Sequence, residues 1–411
     1  MRNAIHRCVA AWADRNTTMA LINIRNLNVV QSNPLFAGLN LTVNAGDRIG
    51  LIAANGRGKS TLFRCIAGQL DATDGDITKA SGMTIGYVEQ NMPPSLCELS
   101  FHDVVLNALS LEQAETEGWR VDVVLESLEV PEEFRRRQLR ALSGGWQRLA
   151  MLARVWVVEP DLLMLDEPTN HLDLGKIAAL EEWLNALPKE VPLIVASHDR
   201  AFLDAVTNRT LFLRPEQSKV FDLPYSRARL ALDEVDAADA RRYERDMKTA
   251  ENLRKQAAKL NNIGINSGSD LLLVKTKQLK ERATNLEDQA MPAHAERSAG
   301  AIKLANRGTH AKVLVTIEDV PVCTPDGTSL FRTGKMFIRQ GDRIVLLGPN
   351  GAGKSRLIGM LRAAIGCAEM AQDGIKATPS LVLGYSDQAL ANLQDFETPM
   401  ETVLRRFDVG D

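Results

Sequence analysis

The sequence predicts an α/β protein in which a parallel β-sheet covered by helices occurs twice, with a helical hairpin between the two copies. Two glycine-rich segments, AANGRGKS at 53–60 and GPNGAGKS at 348–355, each follow a short apolar segment typical of a buried strand. Further apolar segments alternate with helical ones, which is typical of a parallel sheet covered on both faces. Between the copies, a long charged stretch with apolar residues at helical spacing predicts the hairpin.

Length and composition narrow the class of protein. A chain of 411 residues is too long for one ordinary core, so we expect two or three domains. The net charge of −3 means that any nucleic-acid binding has to come from a local basic surface. The five cysteines form no CxxC pair, which predicts reduced thiols rather than disulfides or a zinc site. No apolar run reaches the roughly 18 residues of a membrane span. We therefore expect a cytoplasmic protein, and a transport role would need a separate membrane partner.

Residues 1–18 form an N-terminal extension ahead of Met19. His6, Arg7, Asp14 and Arg15 interrupt its apolar residues, which excludes a secretory signal. An organellar transit peptide remains open, because three arginines face a single acid. We expect a disordered extension, since the strand pattern begins only at Met19.

Residues 19–222 are predicted to form one complete α/β domain. INIRNLNVV and LNLTV have strand patterns, RIGLIA is a buried strand that leads into the first glycine-rich loop, and STLFRCIAGQL is the helix after it. Residues 100–160 contain few glycines and are predicted to be helical. PDLLMLDEP and VPLIVASHD then supply two more buried strands.

Residues 223–305 are predicted to form the helical hairpin. Apolar residues recur every three or four positions in two runs, and we expect a break between them at NNIGINSGSD. The first run is Tyr243, Met247, Ala250, Leu253, Ala257 and Leu260, and the second is Leu272, Leu279, Ala283 and Leu286.

Residues 306–411 repeat the opening architecture, with the strand pattern AKVLVTIEDV followed by DRIVLLGPNGAGKS. RIVLLGP is predicted to be a central strand of a parallel sheet, and its neighbours would lie beyond residue 411. An unpaired central strand invites aggregation. We therefore expect an incomplete second copy in a C-terminally truncated chain, from an incomplete or interrupted gene.

The pattern GxxxxGK[ST] between a strand and a helix binds phosphate. Glycines let main-chain N–H groups surround the phosphates, the lysine neutralises them and the hydroxyl binds Mg²⁺. Ala53 replaces the leading glycine of the first loop, which is tolerable if its φ is negative. The predicted nucleotide contacts are Asn55, Gly56, Gly58, Lys59, Ser60 and Thr61 in the first loop, and Gly348, Asn350, Gly351, Gly353, Lys354 and Ser355 in the second.

LLMLDEPTNHLD at 162–173 supplies candidate catalytic carboxylates. Asp166 ends a buried strand, where it can hold Mg²⁺ through water, and Glu167 is placed to act as a general base. An Asp-Glu pair alone is more often a helix cap, but this one follows a phosphate loop. His198, at the end of the next strand, is a candidate sensor of the γ-phosphate.

LSGGWQRLAMLAR at 142–154 opens a helix with Ser143, Gly144 and Gly145. A helix N-terminus is an anion site. Because the chain already has a loop for its own phosphate, this second site suits a nucleotide that a different domain holds. Taken alone, such a Ser-Gly-Gly segment is more often a simple helix cap.

Together these motifs resemble an ATP-binding cassette, and specifically the ABC-F family, which has two cassettes in one chain, a helical linker and no membrane domain. The resemblance covers about residues 19–411 and implies a P-loop NTPase fold with a complete first cassette and an incomplete second one. It implies ATP and Mg²⁺ as cofactors. Arg356 stands where a threonine is usual, and no aromatic residue near Val30 is available to stack on adenine.

The family's site residues are carried over onto matching positions only. For the first cassette, the resemblance implies Lys59 and Ser60 on phosphate and Mg²⁺, Gln90 on Mg²⁺ and water, Asp166 on Mg²⁺, Glu167 as base, Asp173 at the dimer contact and His198 as switch. For the second, it implies Lys354, Ser355 and Gln388, with Ser355 at Mg²⁺.

The resemblance also implies binding to the ribosome, with the linker reaching towards tRNA. Residues 241–282 carry eleven basic residues against five acidic ones, a net charge of +6, which suits phosphate contacts without base reading. The basic residues are Arg241, Arg242, Arg245, Lys248, Arg254, Lys255, Lys259, Lys275, Lys277, Lys280 and Arg282. A merely solvated helical face is the alternative.

We therefore expect an ATP-hydrolysing ABC-F protein that acts on the ribosome in translation, with ribosome protection against antibiotics as a variant. The alternative is the ATPase subunit of a membrane transporter, against which the hairpin argues. Because neither nucleotide site is complete within the chain, we expect weak hydrolysis. Self-association through the first cassettes would let each copy lend Ser143 to the other.

Overall fold

The computed structural model describes residues 20–267, 270–290, 311–324, 326–366 and 374–385. These residues fall into two compact units, Met1–Ala301 and Ile302–Asp411, which are described separately. The expectations for residues 1–18 and for Gln388 lie outside the described residues.

The first unit contains a six-stranded sheet and a smaller antiparallel sheet. In chain order its strands are β1 (Ile22–Val30), β2 (Pro34–Val43), β3 (Arg48–Ile52), β4 (Asp74–Lys79), β5 (Ile85–Val88), β6 (Leu162–Asp166), β7 (Leu193–Ala196), β8 (Arg209–Phe212) and β9 (Lys219–Phe221). The large sheet has the order β5-β6-β7-β3-β8-β9, and all its pairs are parallel except β8 with β9. The small sheet has the order β2-β1-β4.

Eight helices of the described first unit belong to the α/β domain. They are α1 (Lys59–Ala67), α2 (Phe101–Leu106), α3 (Leu111–Glu117), α4 (Trp119–Ser127), α5 (Glu132–Arg135), α6 (Gly144–Trp156), α7 (Leu174–Ala186) and α8 (Arg200–Val206). Four of them, α2 to α5, lie between residues 100 and 140, where the sequence predicts helices.

Both faces of the large sheet are covered, as the continuous apolar strands predict. All five residues of β6 are buried. Leu163 and Leu165 contribute to the core that includes residues of α2, α4, α6 and α7, whereas Leu162 and Met164 contribute to the core that includes α1 and the small sheet. The alternation is that of a strand between two layers. The carboxyl ends of the parallel strands share one edge, so the segments that follow β3, β5, β6 and β7 meet there.

A helical hairpin follows β9 within the same unit. It consists of α9 (Tyr225–Ser267) and α10 (Asp270–Gln289). With 43 residues, α9 is about 64 Å long. Ala250, Ala257 and Ala283 on the predicted apolar seams are fully buried, so small residues let the two helices approach closely. The predicted break is shorter than expected, because α9 continues through most of NNIGINSGSD.

The first turns of α9 are attached to the α/β domain by apolar and ionic contacts. Ala228 and Leu232 pack with Phe212 of β8. Beside them the Arg214 guanidinium donates two hydrogen bonds to the Asp236 carboxylate, at 2.7 and 2.6 Å. The base of the hairpin is therefore fixed next to the carboxyl end of β8.

The second unit has a smaller core. Its strands are β10 (Val313–Glu318), β11 (Pro321–Cys323), β12 (Ser329–Arg332), β13 (Lys335–Arg339) and β14 (Ile375–Ala377), and its helix is α11 (Lys354–Gly366). Strand β10 pairs antiparallel with β13 and β14, as β1 does with β2 and β4. The antiparallel part of the first unit thus recurs, as the repeated sequence pattern predicts.

The prediction of a central strand at RIVLLGP is wrong for this structure. Residues 343–349 are not in a strand, and the side chains of Ile344, Val345 and Leu347 are 48%, 76% and 73% exposed. The equivalent strand of the first unit, β3, pairs with β7 and β8, which come more than 130 residues later in the chain. The described residues of the second unit supply no such neighbours, and a lone segment cannot satisfy its backbone as a strand.

Candidate nucleotide site in the first unit

The first glycine-rich loop lies between β3 and α1 and depends on two left-handed glycines. Gly56 and Gly58 have φ values of 73° and 88°, which side chains rarely adopt. A Cβ atom on Gly58 would lie 3.1 Å from side-chain atoms of Leu35 and Phe36, so the loop also needs close contact with β2. The φ of Ala53 is not positive, and the residue is buried, so an alanine can replace the leading glycine at this position.

Three side chains from separate segments converge beside this loop. The Lys59 ammonium donates to Oε1 of Glu167 at 2.8 Å and lies 2.7 Å from Nε2 of His198. The same His198 nitrogen is 3.2 Å from Oε1 of Glu167. A cation, a carboxylate and an imidazole therefore share one point at the carboxyl edge of the sheet, although the sequence separates Lys59 from the other two by more than 100 residues.

Glu167 is held in place by the main chain of the neighbouring strand. Its N–H donates to the Ala196 carbonyl at 2.8 Å, and the His198 N–H donates to its Oε2 at 3.2 Å. Its φ is 50°, a left-handed conformation that is costly for glutamate, and only 3% of the residue is exposed. Strained residues of this kind persist where surrounding contacts impose them, and they cluster at functional sites.

Asp166 ends β6 and is 1% exposed. Its Oδ2 accepts a hydrogen bond from the Tyr87 hydroxyl at 3.4 Å, and the Ser60 hydroxyl also contacts the carboxylate. Its Oδ1 is buried and has no hydrogen-bond partner among the described residues. Burial raises the pKa of Asp166, and the Glu167 charge adds to this effect, while the Ser60 hydrogen bond opposes it. A carboxylate oxygen without a partner beside a serine hydroxyl fits Mg²⁺ bound directly or through water.

Arg148 is a site residue that the sequence analysis missed. Its guanidinium donates to the main-chain carbonyls of Glu89, Gln90 and Asp166, with 3.2 Å to Gln90. Burial lowers the pKa of Arg148 to about 10, so the group stays charged at neutral pH. One signal was available: Arg148 occupies the buried stripe of α6 between Gly145 and Leu149, where an aliphatic residue is expected.

Other predicted residues are less closely tied to this point. The side chain of Gln90 is exposed, and within the described residues no hydrogen bond joins it to Asp166. Asp173 caps α7 by accepting from the Lys176 N–H at 3.0 Å. Ser143 is the N-cap residue of α6, and Ser143 and Gly144 are exposed while Gly145 is buried. The helix end is thus accessible, although no described contact joins it to Lys59.

A cleft of about 1340 Å³ adjoins the loop. It is lined by residues 53–57 of the loop, residues 31–35 after β1, His198 and the first turns of α9. Val30 is 48% exposed, and the aromatic residues among those lining the cleft are Phe212 and Tyr225. The volume is ample for a nucleotide, since ligand pockets commonly measure about 300–1,000 Å³.

The second glycine-rich loop has a different environment. Gly351 and Gly353 are left-handed, with φ values of 83° and 94°. The Lys354 ammonium donates to carbonyls of its own loop, Gly348 at 2.7 Å and Pro349 at 2.9 Å. Asn350 lies at the exposed tip of the loop, and Ser355 and Arg356 at the start of α11 are exposed as well. Among the described residues no carboxylate pairs with Lys354.

No helix in the described part of the chain is both long enough and apolar enough to span a bilayer.

Comparisons with known proteins agree with this geometry. A family model described as ABC transporter matches residues 36–170, which include the first loop, Ser143, Asp166 and Glu167. The chain is 27% identical to ABC transporter F family member 5 of Arabidopsis thaliana over 405 residues, covering 88% of this chain and 57% of the relative. It is 31% identical to ATP-binding protein Uup of Caulobacter vibrioides over 371 residues, covering 89% and 56%.

A third relative is named for its action. Over 399 residues the chain is 28% identical to ribosome protection protein VmlR of Bacillus subtilis, covering 93% of this chain and 68% of the relative. The chain spans 56–58% of the length of the first three curated relatives that it matches.

Proposed function

The chain belongs to the ABC-F family of ATP-binding cassette proteins, and on that premise we propose that its first unit binds and hydrolyses ATP with Mg²⁺. The observation that carries the proposal is the convergence of Lys59, Glu167 and His198 beside a left-handed glycine loop. Asp166, with its unpartnered buried oxygen, lies at the same strand end.

The loop and its neighbours would bind the triphosphate. Main-chain N–H groups of Gly56 to Thr61 would surround the phosphates, and the N-terminus of α1 would favour their negative charge. Ser60 and Asp166 would hold Mg²⁺, which neutralises charge on the phosphates when it is bound. Because Lys59 pairs with Glu167, an incoming γ-phosphate would compete for the ammonium.

That competition has a chemical consequence. Once Lys59 contacts phosphate, Glu167 is free to accept a proton from the attacking water. Its left-handed backbone and two main-chain hydrogen bonds keep the carboxylate oriented while the proton moves. His198 lies within reach of the same point, so it can hold the γ-phosphate or the water in line.

Nucleotide binding by the Lys59→Ala variant tests this assignment. Affinity for a fluorescent ATP analogue should fall at least about tenfold, because a charge-assisted contact to phosphate is lost. Lys189→Ala is the matched control, since Lys189 is exposed and lies on a loop before β7. Equal affinities for Lys59→Ala and wild type would exclude the first loop as the phosphate site.

We further propose that the chain acts on the ribosome in the cytoplasm, with the hairpin as the RNA-facing element. All eleven basic side chains between Arg241 and Arg282 are exposed, so their charge faces solvent. The name of the relative VmlR supports a ribosomal site of action, and resistance to antibiotics is one form that the role could take. The transporter alternative gives a 43-residue helix such as α9 no evident use.

Co-sedimentation with ribosomes, with and without ATP, separates these two functions. The proposal expects ATP-dependent sedimentation with ribosomes. Failure to sediment under low-salt conditions with an ATP analogue would favour the transporter function instead.

A further inference from the structure

Arg148 connects three segments that the proposed site requires. It projects from the buried face of α6, the helix that begins at the exposed Ser143–Gly144 end. From there its guanidinium donates to the Glu89 and Gln90 carbonyls after β5 and to the Asp166 carbonyl at the end of β6. The helix with the candidate anion site is thus hydrogen-bonded to both segments that carry candidate metal contacts.

Burying the Arg148 guanidinium would lower the stability of the fold if the side chain served only to fill the core. Arg148 is 8% exposed, and its Nε has no partner within the described chain. Burying a charge costs several kcal/mol, and burial lowers the pKa of Arg148 even though the Asp166 and Glu167 charges favour its charged form. Well-packed apolar residues often stabilise a core equally well. The neighbours on the same stripe, Leu149 and Leu152, are apolar. Packing alone therefore does not account for a charged residue at this position.

The pattern of acceptors indicates that use. The described hydrogen bonds of Arg148 all go to main-chain carbonyls, although the Asp166 and Glu167 charges also favour its charged form. A hydrogen bond to a main-chain carbonyl restrains the position of the backbone segment that carries it. The planar guanidinium carries several donors in fixed directions, so one side chain can hold two strand ends in register.

We infer that Arg148 is a positioning residue that couples the Ser143 end of α6 to the metal-binding end of β6 and to Gln90. When an anion engages the α6 N-terminus, a shift of the helix would carry Arg148 with it and move the Asp166 and Gln90 backbones together. This inference rests on the proposed ATP site. Arg148 itself contacts neither nucleotide nor metal.

The first test needs no nucleotide. Hydrogen–deuterium exchange of Arg148→Met should accelerate in peptides covering 88–92 and 165–169 by at least about tenfold, because local opening there loses its restraint. Arg154→Met is the matched control. Arg154 lies on the same helix and also has a buried Nε, but it makes no described hydrogen bond to these segments. Unchanged exchange in both peptides, or equal acceleration in Arg154→Met, would overturn the inference.

The second test links position to function. In Arg148→Met the Mg²⁺ concentration for half-maximal ATP hydrolysis should rise about 10- to 100-fold, the usual effect of losing a group that orients a metal ligand. Binding of a fluorescent ATP analogue in EDTA should stay within about twofold, because the phosphate loop is untouched. If the apparent Mg²⁺ affinity, the nucleotide affinity and the thermal stability all fell together, the role of Arg148 would be merely structural.

Arg148→Lys is a second, more conservative variant, which keeps the test valid if Arg148→Met does not fold. Lysine keeps the charge but cannot bridge the separate carbonyls, so its metal dependence should lie between those of wild type and Arg148→Met. If the wild-type chain binds no ATP at all, the proposed function fails, while the exchange experiment still decides whether Arg148 holds the two segments.

Discussion

Two adjacent carboxylates, Asp166 and Glu167, have different surroundings and therefore suit different roles. Asp166 is buried beside Ser60 and Tyr87 and keeps one oxygen unpartnered within the described residues, which suits a metal. Glu167 points to Lys59 and His198, which suits work on a water near phosphate. Placing neighbouring acids in unlike environments is a general way to divide metal binding from proton transfer.

Glu167→Gln should separate binding from hydrolysis. The amide keeps the shape of the side chain but cannot accept a proton, so hydrolysis should fall roughly 10²–10⁴-fold, the usual contribution of a general base. Affinity for ATP should be retained. Turnover of the purified variant is the measurement, and Glu182→Gln on the exposed face of α7 is the control. Unchanged turnover would remove Glu167 from the role of base.

Gly58→Ala tests the geometry of the loop. The new Cβ atom adds a left-handed strain of about 1–2 kcal/mol. It also meets Leu35 and Phe36 at 3.1 Å. Gly82→Ala is a matched control, because Gly82 has φ 73° and an added Cβ there would have open space for 4 Å around it. Urea unfolding should show the larger loss for Gly58→Ala, which alone should also lose ATP binding. Equal losses of stability would argue against the close contact with β2.

At the scale of elements, the hairpin is attached next to the nucleotide cleft. Tyr225, Arg229 and Leu232 of α9 line the cleft that the glycine loop also lines. The Arg214–Asp236 pair ties α9 to the chain just after β8, and the Arg214 side chain is only 7% exposed. Arg214 and Leu232 therefore both line the cleft and help to attach the hairpin to the α/β domain.

Asp236→Ala should weaken this attachment. Removing the acid leaves a buried guanidinium without its bidentate partner, which costs roughly 3 kcal/mol in the free energy of unfolding. Asp233→Ala on the same helix is the control, since the exposed Arg229–Asp233 pair contributes at most about 0.5 kcal/mol. Urea denaturation measures both variants. Similar losses in the two would show that the Arg214 pair is not the anchor of α9.

The charges of the hairpin should contribute a salt-dependent part of ribosome affinity. Replacing Lys255, Lys259, Lys275 and Lys277 with alanine should weaken binding and flatten the log–log salt dependence by up to about 3 units, since each phosphate contact releases counterions. All four side chains are exposed, so the fold should be retained.

A control with the same change of charge is available outside the hairpin. Arg25, Arg136, Lys189 and Lys335 are also exposed, and their replacement by alanine should leave the salt dependence nearly unchanged. Identical slopes for wild type and the hairpin variant would mean that the lysines only solvate the helices.

At the scale of the whole molecule, the first unit carries candidate residues both for binding its own ATP and for contacting an anion held by another molecule. Lys59, Glu167 and His198 can act on a γ-phosphate, and the exposed Ser143 end of α6 can accept an anion from another molecule. Two copies that paired through their first units would each lend Ser143 to the other's ATP, in a symmetric dimer.

Specific ATPase activity over about a hundredfold range of protein concentration tests this pairing, because a dimer forms by mass action. Activity should rise with concentration, and Ser143→Arg should abolish the rise without affecting ATP binding. Low activity that does not change with concentration would indicate that no such dimer forms. High activity in dilute protein would contradict the need for a second Ser143.

The fold class could be predicted from the sequence alone, and so could the meeting of the candidate site residues at one edge of the sheet, because both depend on local patterns. Apolar strands followed by glycine loops predict a covered parallel sheet, and strand ends such as Asp166 and His198 must meet at one edge of it. Other features arose only in the tertiary structure. Arg148 hydrogen-bonds Gln90, which lies 58 residues away in the chain, and Arg214 pairs with Asp236 of α9 across the intervening strand β9. RIVLLGP has the composition of β3, yet it is not a strand, because a strand exists only with partners that satisfy its backbone.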